Sequence, residues 1–107
     1  MSRPLKIQIV ERARALIADR EHWCQRHLAE DMNGVSLSPT SAGAMKRCGL
    51  GAVIATAYQL THDFDAADQL GLEALGPRYG AVTLIHVNDT RGHAAVLALF
   101  DEVIAAG

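Results

Sequence analysis

The stretch from Ser38 to Leu60, SPTSAGAMKRCGLGAVIATAYQL, carries no acidic residue and only two basic ones, Lys46 and Arg47, so any fold of this chain has to cover it. Ser38 can accept a bond from an orphaned backbone N–H, and Pro39 suits a first helical position, where its missing donor costs nothing. Ala44, Cys48, Gly51, Ala52 and Ala55 recur at three- and four-residue spacing and give a stripe of small side chains. Met45, Val53 and Ile54 widen the apolar face. The pattern predicts one long central apolar helix, because a helix apolar almost all round belongs in a core. Gly49 and Gly51, each costing about 1 kcal/mol relative to Ala in a helix interior, mark the point where it would break. Thr56, Tyr58 and Asp63 interrupt the run before it reaches the ~20 apolar residues of a membrane span.

The other elements are arranged around that helix. Pro4 opens an amphipathic helix to about Asp19, with Ile9, Ala13, Leu16 and Ile17 on one face. Residues 21–30 read as a short helix in which Trp23 and Leu28 are candidates for burial. Asn33-Gly34 marks a turn, and Val35–Leu37 is a brief extended link. Thr61 caps a fourth helix with Phe64, Ala67, Gly71, Ala74 and Leu75 inward, stopped by Gly76-Pro77. AVTLIHVN is β-branched and apolar but has no convincing partner strand, so residues 81–87 are expected to be an extended buried connector. Asp89 or Thr90 then caps a last helix carrying Val96, Leu97, Phe100, Val103 and Ile104. The expectation is an all-α, single-domain bundle of about five helices spanning residues 1–107. The central helix would be wrapped by the first, fourth and last.

A length of 107 residues with half of them hydrophobic suits one core without staples. No secretory signal develops before Glu11 and Arg12, and two cysteines without an export signal read as reduced thiols. Together these point to a cytoplasmic protein with no membrane segment. Net charge is only −2, yet residues 1–50 hold eight Lys or Arg against five Asp or Glu, whereas residues 51–107 hold two against seven. A basic first half would suit a weak nucleic-acid binder using Arg12, Arg14, Arg20, Arg26, Lys46 and Arg47. No aromatics interleave the arginines, and complementary halves within the fold or across a dimer explain the asymmetry more simply.

Four constellations have the residue types of chemistry. His22, Cys24 and His27 with Cys48 form a zinc-compatible set, but in a helix His22 and His27 would point about 140° apart, so no metal site is expected. Cys48 with His86 or His93, and with Asn88 or Asp89, has the parts of a thiol nucleophile, its base and an orienting group. An unbroken helix would bury that thiol, and only a break near Gly49 would give it the helix N-terminus a thiolate wants. His62-Asp63 occurs in metal-dependent phosphohydrolases, although here capping accounts for the acidic residues. Asn88-Asp89-Thr90-Arg91-Gly92-His93 is a polar cluster between apolar segments, suited to a loop site or to a turn and cap.

Trp23-x-Gln25, Ala29-x-Asp31-x-x-Gly34, Cys48-x-x-Gly51-Ala52 and Asn88-Asp89, in that order, resemble a group of small bacterial and phage proteins known only as a domain of unknown function. The resemblance spans most of the chain and implies no activity, cofactor or partner. It makes Trp23, Gln25, Asp31, Asn88 and Asp89 the candidate binding residues, or else the signature of a fold in which Trp23 anchors the core. It omits His22, Cys24 and His27. Function is therefore read as unknown, with three expectations in order. The first is a small non-enzymatic interaction protein without cofactor, partnered by itself as a homodimer or by another protein. The second is a thiol-dependent hydrolase or transferase using Cys48, and the third is the nucleic-acid binder.

Overall fold

The computed structural model describes residues 4–76 and 79–106. Five α-helices make up most of it: α1 (Leu5–Ile17), α2 (Gly49–Thr61), α3 (Phe64–Ala74), α4 (Ala81–Thr90) and α5 (His93–Ala106). The fold is all-α, with one small addition between α1 and α2. There a 3-10 turn (Arg20–His22) is followed by β1 (Ala29–Glu30), β2 (Ser36–Leu37) and β3 (Lys46–Arg47). The three short strands pair antiparallel in the order β2-β1-β3, with Ala29 opposite both Leu37 and Arg47. Trp23 makes a parallel bridge to Arg47 beside them.

Helix α2 is central, packing against α1, α3 and α4, while α5 packs chiefly on α1 and α4. Ile9, Val10, Ala13 and Ile17 of α1 meet Ala52, Val53 and Ala57 of α2 and Phe100 of α5 in one core. Gly71 of α3 lies against Val53, where an added Cβ would sit 3.2 Å from a Val53 methyl, so the two helices approach closely. No helix among the described residues is long and apolar enough to cross a membrane.

The long central helix is shorter than its sequence implies, because α2 starts only at Gly49. Ahead of it, Ser38 Oγ accepts from Thr40 N–H at 3.3 Å and Ser41 Oγ from Gly43 N–H at 3.2 Å. These side-chain bonds offer the backbone turns in place of a helical ladder, as Ser and Thr commonly do. Lys46 and Arg47 then join β1, and Cys48 caps α2 with ψ 175°.

Residues 81–87, expected as an extended connector, belong to helix α4. With no strand beside it among the described residues, the segment satisfies its own backbone by coiling. Its β-branched residues give up a few tenths of a kcal/mol each in helix propensity. Leu84 and Asn88, four residues apart and fully buried, offset that by sharing the inner face. Residues 21–30, expected as a helix, coil only through His22 before Trp23 turns extended to meet Arg47.

Smaller corrections follow the same logic. Asp63, not Thr61, caps α3, accepting from Asp65 and Ala66 N–H at 3.0 and 3.2 Å, while the Thr61 hydroxyl donates to Ala57 O. Asp89 and Thr90 close α4 instead of opening α5, which begins after Gly92. Leu28 is exposed, and so is Phe64, which stacks on Tyr58 at 4.3 Å outside the core. The stop at Gly76 is present with φ +74°, and Pro77 lies outside the described residues.

Candidate functional site

The last turn of α4 carries Asn88 into the interior, where it is 0% exposed. Its Oδ1 accepts from Trp23 Nε1–H at 2.7 Å and from Gly49 N–H at 2.9 Å. Its Nδ2 donates to Cys24 O and to Asp89 Oδ1, both at 3.0 Å. A primary amide has two acceptor sites and two donor hydrogens, so every one is used. Gln25 Nε2 donates to the carbonyls of Asn88 and Asp89 at 3.1 and 3.3 Å, satisfying groups that the end of α4 leaves unpaired. Asp89 Oδ1 also accepts from Arg26 N–H at 2.9 Å. The network thus ties the end of α4, the start of α2 and the loop at residues 23–26 into one unit.

Cys48 sits beside this network as the N-cap of α2. Its N–H donates to Leu28 O at 3.1 Å, and its Sγ accepts from Gly51 N–H at 3.3 Å. Gly51 is required here, since any Cβ would overlap the Leu28 carbonyl. The thiol is 4% exposed, on the wall of a cavity of about 180 Å³ lined by Arg26, His27, Leu28, Cys48, Ile85 and Asp89.

Burial pushes the Cys48 thiol up from its ordinary value. Backbone N–H groups of Gly51 and Leu50 pull the other way, and the Asp89 carboxylate adds to the rise. The break at Gly49 therefore gives Cys48 a helix N-terminus, but burial outweighs it. Cys24 is pushed up to about 12, first by burial, then by the Glu30 carboxylate and by Cys48. Both thiols are unbridged and buried. In this arrangement Cys48 caps α2 through its sulfur, and burial disfavours its thiolate form.

The two imidazoles considered as bases lie elsewhere. His93 opens α5, its Nε2 bonds Ile17 O at 2.6 Å, and its ring lies 5.2 Å from that of Trp23. His86 is exposed on α4, with its carbonyl accepting from Thr90 Oγ1–H. Neither is a hydrogen-bond partner of Cys48. Asp31 stands apart from the other candidate binding residues, accepting from Asn33 and Val35 N–H at 2.8 and 3.0 Å to form the β1–β2 turn, with Gly34 at φ +82°. Trp23, Gln25, Asn88 and Asp89 do come together. His27, which shares the Cys48 cavity, lies 3.8 Å from Glu30, and His22 is exposed. Among the described residues no group of three or more His, Cys, Asp or Glu could hold a metal ion. Gly49 and Arg26 were missed as members of the network because each contributes only a backbone N–H, which no side-chain pattern advertises.

An all-α protein with a small strand insertion, in which Trp23, Gln25 and Asn88-Asp89 converge on one polar knot with Cys48 beside it, is the class that fold and site define. The chain belongs to the family described as a family of unknown function (DUF6197), whose model matches residues 1–106. No curated protein and no solved structure matches it.

Proposed function

We propose that this protein is a small, non-enzymatic, cytoplasmic interaction module that pairs with a second copy of itself through the outer face of α4. The observation that carries this is the exposure of Val82, at 81%, on the same face as exposed Ile85, while Leu84 and Asn88 occupy the inner face. Ile85 lines the small cavity together with exposed Leu28, extending the apolar strip onto the loop before β1. A helix face repeated across a two-fold axis is self-complementary, and a net charge of −2 sets up little repulsion between copies. A stable interface takes about 20–30 residues a side, and a strip centred on Val82, Ile85 and Leu28 offers few, so the association is weak and concentration-dependent. Against an enzymatic role stands the Cys48 thiol, buried, with its thiolate disfavoured by that burial, and without a hydrogen-bonded imidazole. Two free buried thiols also accord with a reducing compartment.

Light scattering across a wide concentration range tests the pairing. The mass should rise from that of one chain toward that of two, and Val82→Asp should hold it at one chain with an unchanged melting temperature. A single-chain mass at the highest concentration, or an unaffected dimer in the Val82→Asp variant, contradicts the proposal.

A further inference from the structure

A second concavity, an open groove of about 340 Å³, lies beside the Trp23 loop, and its charge is one-sided. Arg20 from the 3-10 turn, Arg26 from the loop and Lys46 from β3 all line it, against a single carboxylate, Glu30. Elsewhere Lys6 pairs with Glu73, Arg14 with Asp101, and the Arg47 guanidinium donates to Pro39 O at 2.9 Å. Among the described residues Arg20, Arg26 and Lys46 form no ion pair. Glu30 stands opposite Lys46 in the β1–β3 ladder, but its carboxylate is turned to His27 at 3.8 Å and is only 16% exposed.

The backbone at this groove is held in an unusual state. Arg26 has φ +70°, a left-handed conformation that side chains other than glycine seldom adopt. The bond from its N–H to Asp89 Oδ1 and the Gln25 amide on the α4 carbonyls hold it there. The buried knot thus fixes the segment that presents Arg26 to the groove, and such enforced strain is characteristic of sites that receive a ligand.

Three unpaired cations facing one concavity repel one another until an anion joins them. We propose that this groove binds a phosphomonoester dianion, with the Arg20 and Arg26 guanidiniums supplying paired N–H donors and Lys46 a point charge. The ligand is compact rather than a polymer. The cations next along the chain on either side, Arg14 and Arg47, are already engaged, so no basic track continues from the groove for a nucleic-acid backbone to follow. Arg26 alone lines both this groove and the small cavity at Ile85, whereas Val82 and Lys46 belong to one site each, so Val82→Asp and Lys46→Gln let self-association and anion binding fail independently.

Trp23 is the only tryptophan, lines the groove, and has the Arg20 guanidinium carbon 6.0 Å from its ring, so its fluorescence reports on the site. The full chain is titrated with inorganic phosphate and with a phosphoserine peptide at constant ionic strength, using sodium chloride and the unphosphorylated peptide as controls. A saturable change with either phosphate ligand, absent with the controls, is expected. Tighter binding of the phosphopeptide assigns a protein source of the phosphate, and equal affinities assign a free one. Lys46→Gln and Arg26→Gly, the latter keeping the left-handed backbone without the side chain, should each weaken binding on the order of tenfold. Equal responses to phosphate and chloride, unchanged affinity in both variants, or tighter binding of a single-stranded oligonucleotide than of either phosphate ligand would overturn the proposal.

Discussion

Replacing Asn88 by alanine should cost this protein a large part of its stability. The substitution leaves three buried groups without their partner: Trp23 Nε1–H, Gly49 N–H and the Cys24 carbonyl. An orphaned buried polar group costs about 1–3 kcal/mol. Water entering the vacated space recovers some of this, and alanine returns about 0.6 kcal/mol in helix propensity, which leaves a net loss of about 3 kcal/mol. That is a substantial share of the 5–15 kcal/mol typical of a folded domain. Urea unfolding followed by circular dichroism reads it as a lower midpoint at unchanged slope. Trp23→Phe keeps an aromatic ring but removes one donor, so a cycle with Asn88→Ala should show a coupling of about 1–2 kcal/mol. An Asn88→Ala loss below about 1 kcal/mol, or additive single effects, would refute the view that Asn88 ties α2, α4 and the Trp23 loop together.

Thr56 is fully buried in α2, and its hydroxyl is the one buried side-chain polar atom without a partner among the described residues. Thr56→Val should therefore raise stability by about 1 kcal/mol in the same unfolding assay. Stability should also fall in alkali. Both thiols have folded values raised above their unfolded ones, so the folded chain holds these protons more tightly; their contribution is intact below about pH 8.5 and is lost as pH rises toward the value of about 12 for Cys24. A Cys24→Ala, Cys48→Ser variant should lose less between neutral pH and about pH 10 than the parent, and parallel pH profiles would contradict that.

Helices α1, α3 and α5 were legible because periodicity agreed with packing, even where the expected caps did not: Ile9 and Ala13, Ala67 and Gly71, and Val96 and Phe100 are all buried. The long central helix was not, because low charge does not by itself make a helix continuous across Ser38–Arg47. There, local hydroxyl bonds and pairing with β1 decide the backbone. Helix α4 was hidden for the opposite reason. Its β-branched run suggests a strand, and only the burial of Leu84 and Asn88 against neighbours distant in sequence selects the helix. The site was half legible. The order Trp23, Gln25, Cys48, Asn88-Asp89 singled out residues that the fold brings near one another, but the bond from Trp23 to Asn88 spans 65 positions and involves no local pattern. His86 and His93 suit a thiol enzyme by residue type, yet one faces outward and the other is engaged by Ile17.

The rate at which Cys48 reacts with a small thiol reagent, followed as a function of pH in a Cys24→Ala background, tests most directly whether this site holds the fold or carries chemistry. A capping thiol should react only as the chain unfolds, at a rate that rises in step with unfolding and is accelerated by Asn88→Ala. Rapid labelling of the native protein with an apparent pKa well below the ~8.5 of a free thiol would contradict the account and make Cys48 a nucleophile.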